Sequence, residues 1–252
     1  MYDLQRANFW KRISAYLLDA ILLLMLAVGI FGLLSWVFGY QSYADEIQAG
    51  YDKYAAEYGI DADISAEDYD ALPEEEKQKY IDASEAMQKD ERLNYAYMMF
   101  MNLTLLITTF SILLSYLLLE FVVPLLFKNG QTIGKKVFAL GVMHTNSVRV
   151  SPVALFVRSI LGKYTIETMV PVLLIIRMIF GSGGILGLII MLILAIMQIV
   201  FMATTKGRLA IHDMLSSTVV VDLPSQRIFN SADELIEYKK RLHAERAEKA
   251  DY

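Results

Sequence analysis

The sequence predicts an all-α polytopic membrane protein with four transmembrane helices, an extracytoplasmic helical insert and a small cytoplasmic β element. Of the 252 residues, 56% are hydrophobic, above the roughly 45–50% that is usual for soluble domains. The apolar residues cluster in stretches of about 20 or more, which is the length that crosses a bilayer. Acidic residues concentrate between the first two stretches, whereas basic residues flank their other ends, as expected when one loop is exported.

Composition and motifs argue against several classes of function. The chain has no cysteine, which excludes disulfides and thiolate metal sites. Its three histidines are scattered, and no phosphate-binding loop, dinucleotide fingerprint or nucleophile–base set is present. We therefore expect no enzyme, no cofactor, no metal site and no nucleic-acid partner, and a lipid bilayer as the environment.

The first domain, residues 1–38, combines a short cytoplasmic lead with the first span. Lys11 and Arg12 precede an apolar run that is longer than the core of a signal peptide, so we expect a retained span. Asp19 interrupts this run, and an acid at a helix centre costs about 2.5–3.5 kcal/mol on insertion. Arg12 lies roughly 10 Å away along the helix, too far to pair directly, so Asp19 needs another partner.

Residues 39–97 form the acidic insert, which we expect to be helical and outside the cytoplasm. Residues 39–94 carry sixteen acidic and five basic side chains. Ser65 precedes an acidic turn, and Pro73 precedes three glutamates, both of which suit the start of a helix. From Glu74 to Tyr97 the pattern is helical. The insert is either a ligand-binding module, with cations as candidate partners, or a solvated spacer; it has no EF-hand spacing.

The third domain, residues 98–221, holds the remaining spans and a cytoplasmic loop. The second span covers about 98–127 and contains Glu120 and Pro124. Lys128, Lys135, Lys136 and Arg149 then mark a cytoplasmic loop, in which 142–144 and 148–150 could form a β-hairpin. The strand predicted at Thr218–Val221 could join it.

Residues 152–180 are apolar but carry Arg158, Lys163, Glu167 and Arg177. They form either an interfacial helix that leads into a third span near 164–180 or a segment that lies wholly on the cytoplasmic surface. A turn at 181–184 precedes the uncharged span 185–205. If 152–180 did not cross, the basic C-terminal region would lie outside, against the charge rule. The sequence therefore favours four spans in the cell membrane with both termini cytoplasmic. Residues 222–252 form a charged cytoplasmic tail with a helix capped by Ser231 and Glu234.

Three motifs together resemble the RDD family of bacterial membrane proteins: Arg12 with Asp19, then GQTIGKKVFALGV at 130–142, then GRLAIHDMLSSTVVV at 207–221. The family is named for an arginine and two aspartates, which the resemblance places at Arg12, Asp19 and Asp213. The acidic insert is not part of the shared pattern. Some members of the family have been proposed as cation/proton antiporters.

Two interpretations of these residues remain open. Arg12, Asp19 and Asp213 form either a structural clasp between the first and last spans or a site at which Asp19 binds a cation or a proton during transport. Glu120, Arg208 and His212 are accessory candidates; the alternative is that Glu120 faces the membrane interface and His212 caps the end of a helix. The corresponding functions are a cation/proton transporter or transport accessory, which at four spans would need to be a homo-oligomer, and a membrane-anchored scaffold or sensor whose acidic module binds an envelope partner.

Overall fold

The chain is an all-α polytopic membrane protein, as its sequence predicts. The computed structural model describes residues 7–127, 129–179, 184–205 and 207–250. Within these residues, four helices are long and apolar enough to cross a membrane, and they are called the first to fourth spans: Phe9–Val37, Glu91–Leu126, Pro152–Ile179 and Gly184–Thr204. Residues 152–179 are one continuous helix of membrane-crossing length, so the four-span interpretation is confirmed.

Some sequence predictions fall on residues outside the described part of the chain. They concern the lead before Ala7, Lys128, Lys206 and the first three residues of the turn at 181–184. The lipid environment is supported by the span surfaces, which are apolar nearly all round. Trp36, Leu24, Leu186 and Ile199 are exposed on the first and fourth spans, as expected for helices that face lipid.

The first span is α1 and the fourth is α10, whereas the second and third are each built from several segments. The second span runs through α5 (Glu91–Tyr116), a π-helical segment at Leu117–Val122 and α6 (Val123–Leu126). The third runs through α8 (Pro152–Phe156), a π-helical segment at Val157–Met169 and α9 (Val170–Ile179). The other elements, in chain order, are α2 (Tyr40–Tyr58), α3 (Ala66–Ala71), α4 (Glu74–Lys89), α7 (Ile133–Val137), β1 (Leu140–His144), α11 (Ile211–Leu215), β2 (Thr218–Asp222) and α12 (Ala232–Ala250).

The chain divides into two compact units. The core unit comprises Met1–Val28 and Ile112–Tyr252, and the insert unit comprises Gly29–Ser111. The insert unit is helical, as predicted, and Ser65 caps α3 by accepting a hydrogen bond from the Asp68 amide. The helix predicted from Glu74 to Tyr97 is wrong in one respect. Asp90 ends α4, and its carboxylate accepts from the amides of Arg92 and Leu93, so a new helix starts at Glu91.

The insert unit is held together mainly by helix packing and aromatic contacts. Ala83 of α4 and Tyr54 of α2 are buried where these two helices pack. The rings of Tyr40 and Phe100 stack with centroids 4.8 Å apart, and the Tyr40 hydroxyl bonds the Thr104 hydroxyl. Tyrosine side chains of this segment therefore contribute to its packing.

A two-stranded antiparallel sheet lies in the core unit, with Leu140 opposite Asp222 and His144 opposite Thr218. The strand predicted at 218–221 thus pairs with β1. The predicted hairpin between 142–144 and 148–150 is reduced to a single bridge, Met143 to Arg149, because the Val142 amide on that edge of β1 donates to the Asn129 carbonyl instead. One face of the sheet packs on Ala15 of the first span. The ends of the spans near this sheet are called the sheet end.

Candidate functional site

Asp213 lies at the centre of a buried group of ionisable residues in the core unit. Its carboxylate contacts the Arg158 guanidinium, and Arg12 Nη2 lies 3.6 Å from its Oδ2. The same oxygen accepts from the Ala210 amide, which starts the short helix α11. Burial would raise the pKa of Asp213, but the charge of Arg158 and its hydrogen bond outweigh burial and hold that pKa below its usual value. Asp213 is therefore an ionised carboxylate held between two arginines.

His212 connects Arg158 to Glu167 of the third span. Its Nδ1 lies 2.8 Å from Glu167 Oε2, and its Nε2 lies 3.1 Å from Arg158 Nη2. Arginine only donates, so Nε2 accepts and Nδ1 carries the proton that is donated to Glu167. Burial and the Arg158 charge lower the pKa of His212, which favours this neutral form.

Asp19 finds its partners in the segment that follows the second span. It accepts hydrogen bonds from the Thr132 hydroxyl and, at 2.7 Å, from the Gly134 amide, and Lys135 Nζ lies 3.6 Å from its Oδ2. A side chain at Gly134 would clash, because a Cβ there would lie 2.3 Å from the Ala15 carbonyl oxygen. Burial and the neighbouring Lys163 charge lower the pKa of Lys135 to about 8, although Glu120 and Asp19 oppose the change.

Glu120 is paired with Lys163. Lys163 Nζ lies 2.6 Å from Glu120 Oε2, and both side chains are buried. The Ser159 hydroxyl donates to the Glu120 backbone carbonyl at 2.6 Å, which ties the π-helical segments of the second and third spans together. Glu120, an accessory candidate from the sequence, is the partner of a lysine in the third span.

The π-helical geometry of the third span brings three of its charges to one side. In an α-helix, a residue five positions on lies about 140° further round the axis, and one nine positions on lies on the opposite face. In a π-helix each amide bonds five residues back, so residues about five apart lie nearly above one another. Arg158, Lys163 and Glu167 have these spacings, and all three line the same cavity.

That cavity has a volume of about 410 Å³, within the range of small-ligand sites. Its floor at the sheet end is lined by charged residues and His212, and its wall is the apolar face of α10 from Met191 to Met202. The charged lining residues are Arg12, Asp19, Lys135, Arg158, Lys163 and Glu167. From Met191 to Met202 the helix rises about 16 Å, roughly half the hydrocarbon thickness.

Several of the predicted roles change. Arg12 lies beside Asp213, as expected of the clasp, but it does not bridge to Asp19, whose cationic neighbour is Lys135. Arg208 contributes its backbone carbonyl, which accepts from Arg12 Nη1 at 2.9 Å, rather than its exposed side chain. His212 does not cap a helix end; its backbone amide donates to Glu167.

Sequence reasoning missed four residues of this group: Lys135, Arg158, Lys163 and Glu167. The available signal was their charge, because three of them interrupt an apolar segment and Lys135 lies within the second motif. If the third span were an α-helix, Arg158, Lys163 and Glu167 would lie on different faces of it. Within the described residues, no three His, Asp or Glu side chains are arranged to hold a metal ion.

Comparison with known proteins supports the resemblance. The model of the RDD family matches residues 6–217. No curated protein matches the chain. No solved structure matches it either.

Proposed function

The chain belongs to the RDD family, and from that membership and the geometry of its site we propose that it is a non-enzymatic transporter or transport accessory that moves a cation against protons. Asp19 is proposed as the residue that takes up the cation or proton. The cavity at the sheet end would be its route to the aqueous phase. The protein would lie in the cell membrane as a multi-pass protein.

The observation that carries this proposal is the difference in access between the two aspartates for which the family is named. Asp213 is 0% exposed and lies behind Arg158, whereas the Asp19 side chain is 10% exposed and lines the cavity. A carboxylate with no access cannot exchange an ion without local opening. Asp213 therefore suits a structural role, and Asp19 suits exchange, which is the default expectation for an intramembrane acid.

The contacts of Asp19 also suit a site that changes its occupant. Lys135 Nζ stands 3.6 Å from the carboxylate, while its hydrogen bond goes to the Thr132 hydroxyl at 3.0 Å. An entering cation would compete with this ammonium for the same carboxylate oxygens. The Thr132 hydroxyl and the Gly134 amide would keep the carboxylate in place throughout.

We propose that the sheet end and both termini face the cytoplasm, because the bases that flank the spans concentrate there. Single cysteines placed at Ser65, Ser147 and Ser225 test this without interference, since the chain has no native cysteine. An impermeant thiol reagent added to intact cells should label position 65 alone. Labelling of position 225 from outside would contradict the orientation.

Ion flux in proteoliposomes tests the transport proposal. Wild type should show proton flux that depends on a cation gradient, and Asp19→Asn should abolish it. Asp45→Asn is the matched control, because Asp45 is an exposed acid of the insert whose carboxylate bonds Gln41. That variant should keep wild-type flux.

A second variant separates loss of exchange from loss of folding. Asp19→Asn leaves the Lys135 ammonium without its carboxylate. The single variant is therefore compared with Asp19→Asn/Lys135→Gln, which removes both charges. The double variant should regain thermal stability and still lack coupled flux. Recovery of flux in the double variant would show that Asp19 is purely structural, and absence of flux in wild type would favour the scaffold alternative.

A further inference from the structure

A second cavity of about 390 Å³ lies at the sheet end, where the second span ends and the third begins. The end of the second span contributes Pro124 and Leu125, and the start of the third contributes Pro152 and Leu155. Arg149 and Ser151 precede the third span, and Asn230 precedes α12. None of these residues belongs to the ion-paired group around Asp19 and Asp213.

Arg149 differs from the arginines and lysines of that group in having no acidic partner. Arg12, Lys135, Arg158 and Lys163 each lie within 4.0 Å of a carboxylate oxygen. Among the described residues, no carboxylate lies within ion-pair range of the half-buried Arg149. The carboxylate of Glu234, on the tail helix, accepts hydrogen bonds from the Asn230 backbone amide at 2.8 Å and from the Asn230 side-chain amide at 3.2 Å.

The backbone of residues 147–151, which carries Arg149, is held by hydrogen bonds within the protein. The Arg149 amide donates to the Phe229 carbonyl at 2.8 Å, and the Phe229 amide donates to the Ser147 carbonyl at 3.0 Å. Phe229 is fully buried. The Ser151 amide donates to His144 Nε2, and its hydroxyl caps α8 by accepting from the Ala154 amide. The cationic side chain is therefore carried by a rigid segment and not by a free loop.

The spans beside the cavity carry exposed apolar side chains. Leu126 at the end of the second span is 71% exposed, and Val153 at the start of the third is 73% exposed. Phe156 is also exposed on the third span. A ligand in this cavity would contact the Arg149 guanidinium, the Ser151 hydroxyl and the Asn230 amide at the membrane boundary. It would contact apolar side chains toward the bilayer interior.

We propose that this cavity binds the phosphate headgroup of an anionic phospholipid. The guanidinium of Arg149 has the fork geometry that binds two phosphate oxygens at once. The Ser151 hydroxyl can donate to a third oxygen while it accepts from Ala154. The acyl chains would lie along Leu126, Val153 and Phe156. Basic pockets between spans at the membrane boundary are known to take anionic headgroups, and this cavity has that form.

Lipid binding to the full-length, detergent-solubilised protein tests the proposal, with native mass spectrometry as the readout. Titration with phosphatidylglycerol should show one lipid that binds more tightly than phosphatidylcholine. Arg149→Gln should weaken that binding about fivefold, which is the effect expected for one basic residue at a lipid surface. Arg149→Lys should fall between the two, since lysine keeps the charge and loses the fork.

The matched control is Lys136→Gln, which removes an equal charge from an exposed lysine at the same end of the spans, where it lies over the Phe127 ring. It should leave the tight lipid in place. Equal loss in Lys136→Gln, or equal affinity for the two lipids, would reduce the effect to general surface charge and overturn the proposal. Displacement by inorganic phosphate at equal concentration would show a phosphate site without lipid selectivity and would also overturn it.

A thermal melt of each variant shows whether Arg149→Gln is folded, and Arg149→Lys keeps the test decisive if it is not. Because binding is measured without any ion gradient, its outcome is independent of the transport proposal. Failure of flux with intact lipid selectivity would leave this site standing, and the reverse result would leave the transport proposal standing.

Discussion

The core unit of this protein contains buried ion pairs, whereas the ion pairs described in the insert unit lie on its surface. In the core unit the ion pair of Arg158 with Asp213 joins side chains that are 4% and 0% exposed. In the insert unit the pair of Lys89 with Glu85 joins side chains that are 77% and 63% exposed. The insert has many more acids than the core for its length, yet its pairs lie on its surface. The number of charges thus says little about their importance.

The physical consequence follows from solvation. An exposed pair gains little from its Coulomb attraction, because water screens both charges. A buried pair has already lost its hydration, so removal of one partner leaves the other stranded in a medium of low polarity. The insert unit relies instead on aromatic packing and helix caps, as at Tyr40 and Ser65. We therefore expect the largest mutational effects in the core unit.

The largest expected effect is that of Arg158→Ala. It removes the nearer of the two arginines beside the fully buried Asp213 carboxylate, leaving only Arg12 Nη2 at 3.6 Å, and it removes the donor to His212 Nε2, so the free energy of unfolding should fall by about 3–5 kcal/mol. Thermal or denaturant unfolding in detergent measures it. The double variant Arg158→Met/Asp213→Asn removes both charges of the pair, keeps an acceptor for the Ala210 amide and leaves Arg12 bonded to the Arg208 carbonyl, so it should recover a large part of the loss. A loss below about 1 kcal/mol for the single variant would contradict the comparison, because that is the range of an exposed pair.

Much of the fold could be predicted because its signals are local. A run of apolar residues sets the length of each span, and the side chain of Ser65 caps the helix that follows it. Thr218–Val221 shows the composition of a strand, and it became β2. The break at Asp90 was missed although its signal is also local, since an aspartate can cap the next helix as readily as continue the previous one.

The partners within the site could not be predicted, because they are distant in sequence. Asp19 contacts a threonine, a glycine and a lysine more than a hundred positions away, and the sequence around Asp19 does not predict these partners. Arg158 and Glu167 would lie on opposite faces of an α-helix, and the π-helical geometry that aligns them leaves no recognised mark in the sequence. The need for a partner was evident from the cost of a lone intramembrane acid, whereas its identity was a matter of tertiary structure.

The smallest expected effects come from exposed ion pairs in both units. They show whether burial, or location in one unit, sets the contribution of an ion pair to stability. Lys11 and Asp222 form such a pair in the core unit, with Lys11 Nζ 2.8 Å from Asp222 Oδ1 and side chains 44% and 19% exposed. Asp222→Asn should cost about 0.2–1 kcal/mol, and Glu85→Gln in the insert about 0.3–0.5 kcal/mol. Unfolding at neutral pH and low salt measures both variants under the same conditions.

The pH dependence of the Asp222→Asn variant tests whether its loss of stability comes from the ion pair with Lys11. The hydrogen bond from Lys11 lowers the pKa of Asp222 below the unfolded value of 3.8 and outweighs the opposing effect of burial. A lowered folded-state pKa means that the pair stabilises the protein above pH 3.8 and that this contribution is lost as the pH falls through the folded-state pKa. The difference in stability between wild type and Asp222→Asn should therefore be constant near neutral pH and shrink in acid. Added salt should reduce it too, because the pair is screened. If Asp222→Asn instead cost as much as Arg158→Ala, location in the core unit and not burial would set the energy of its ion pairs.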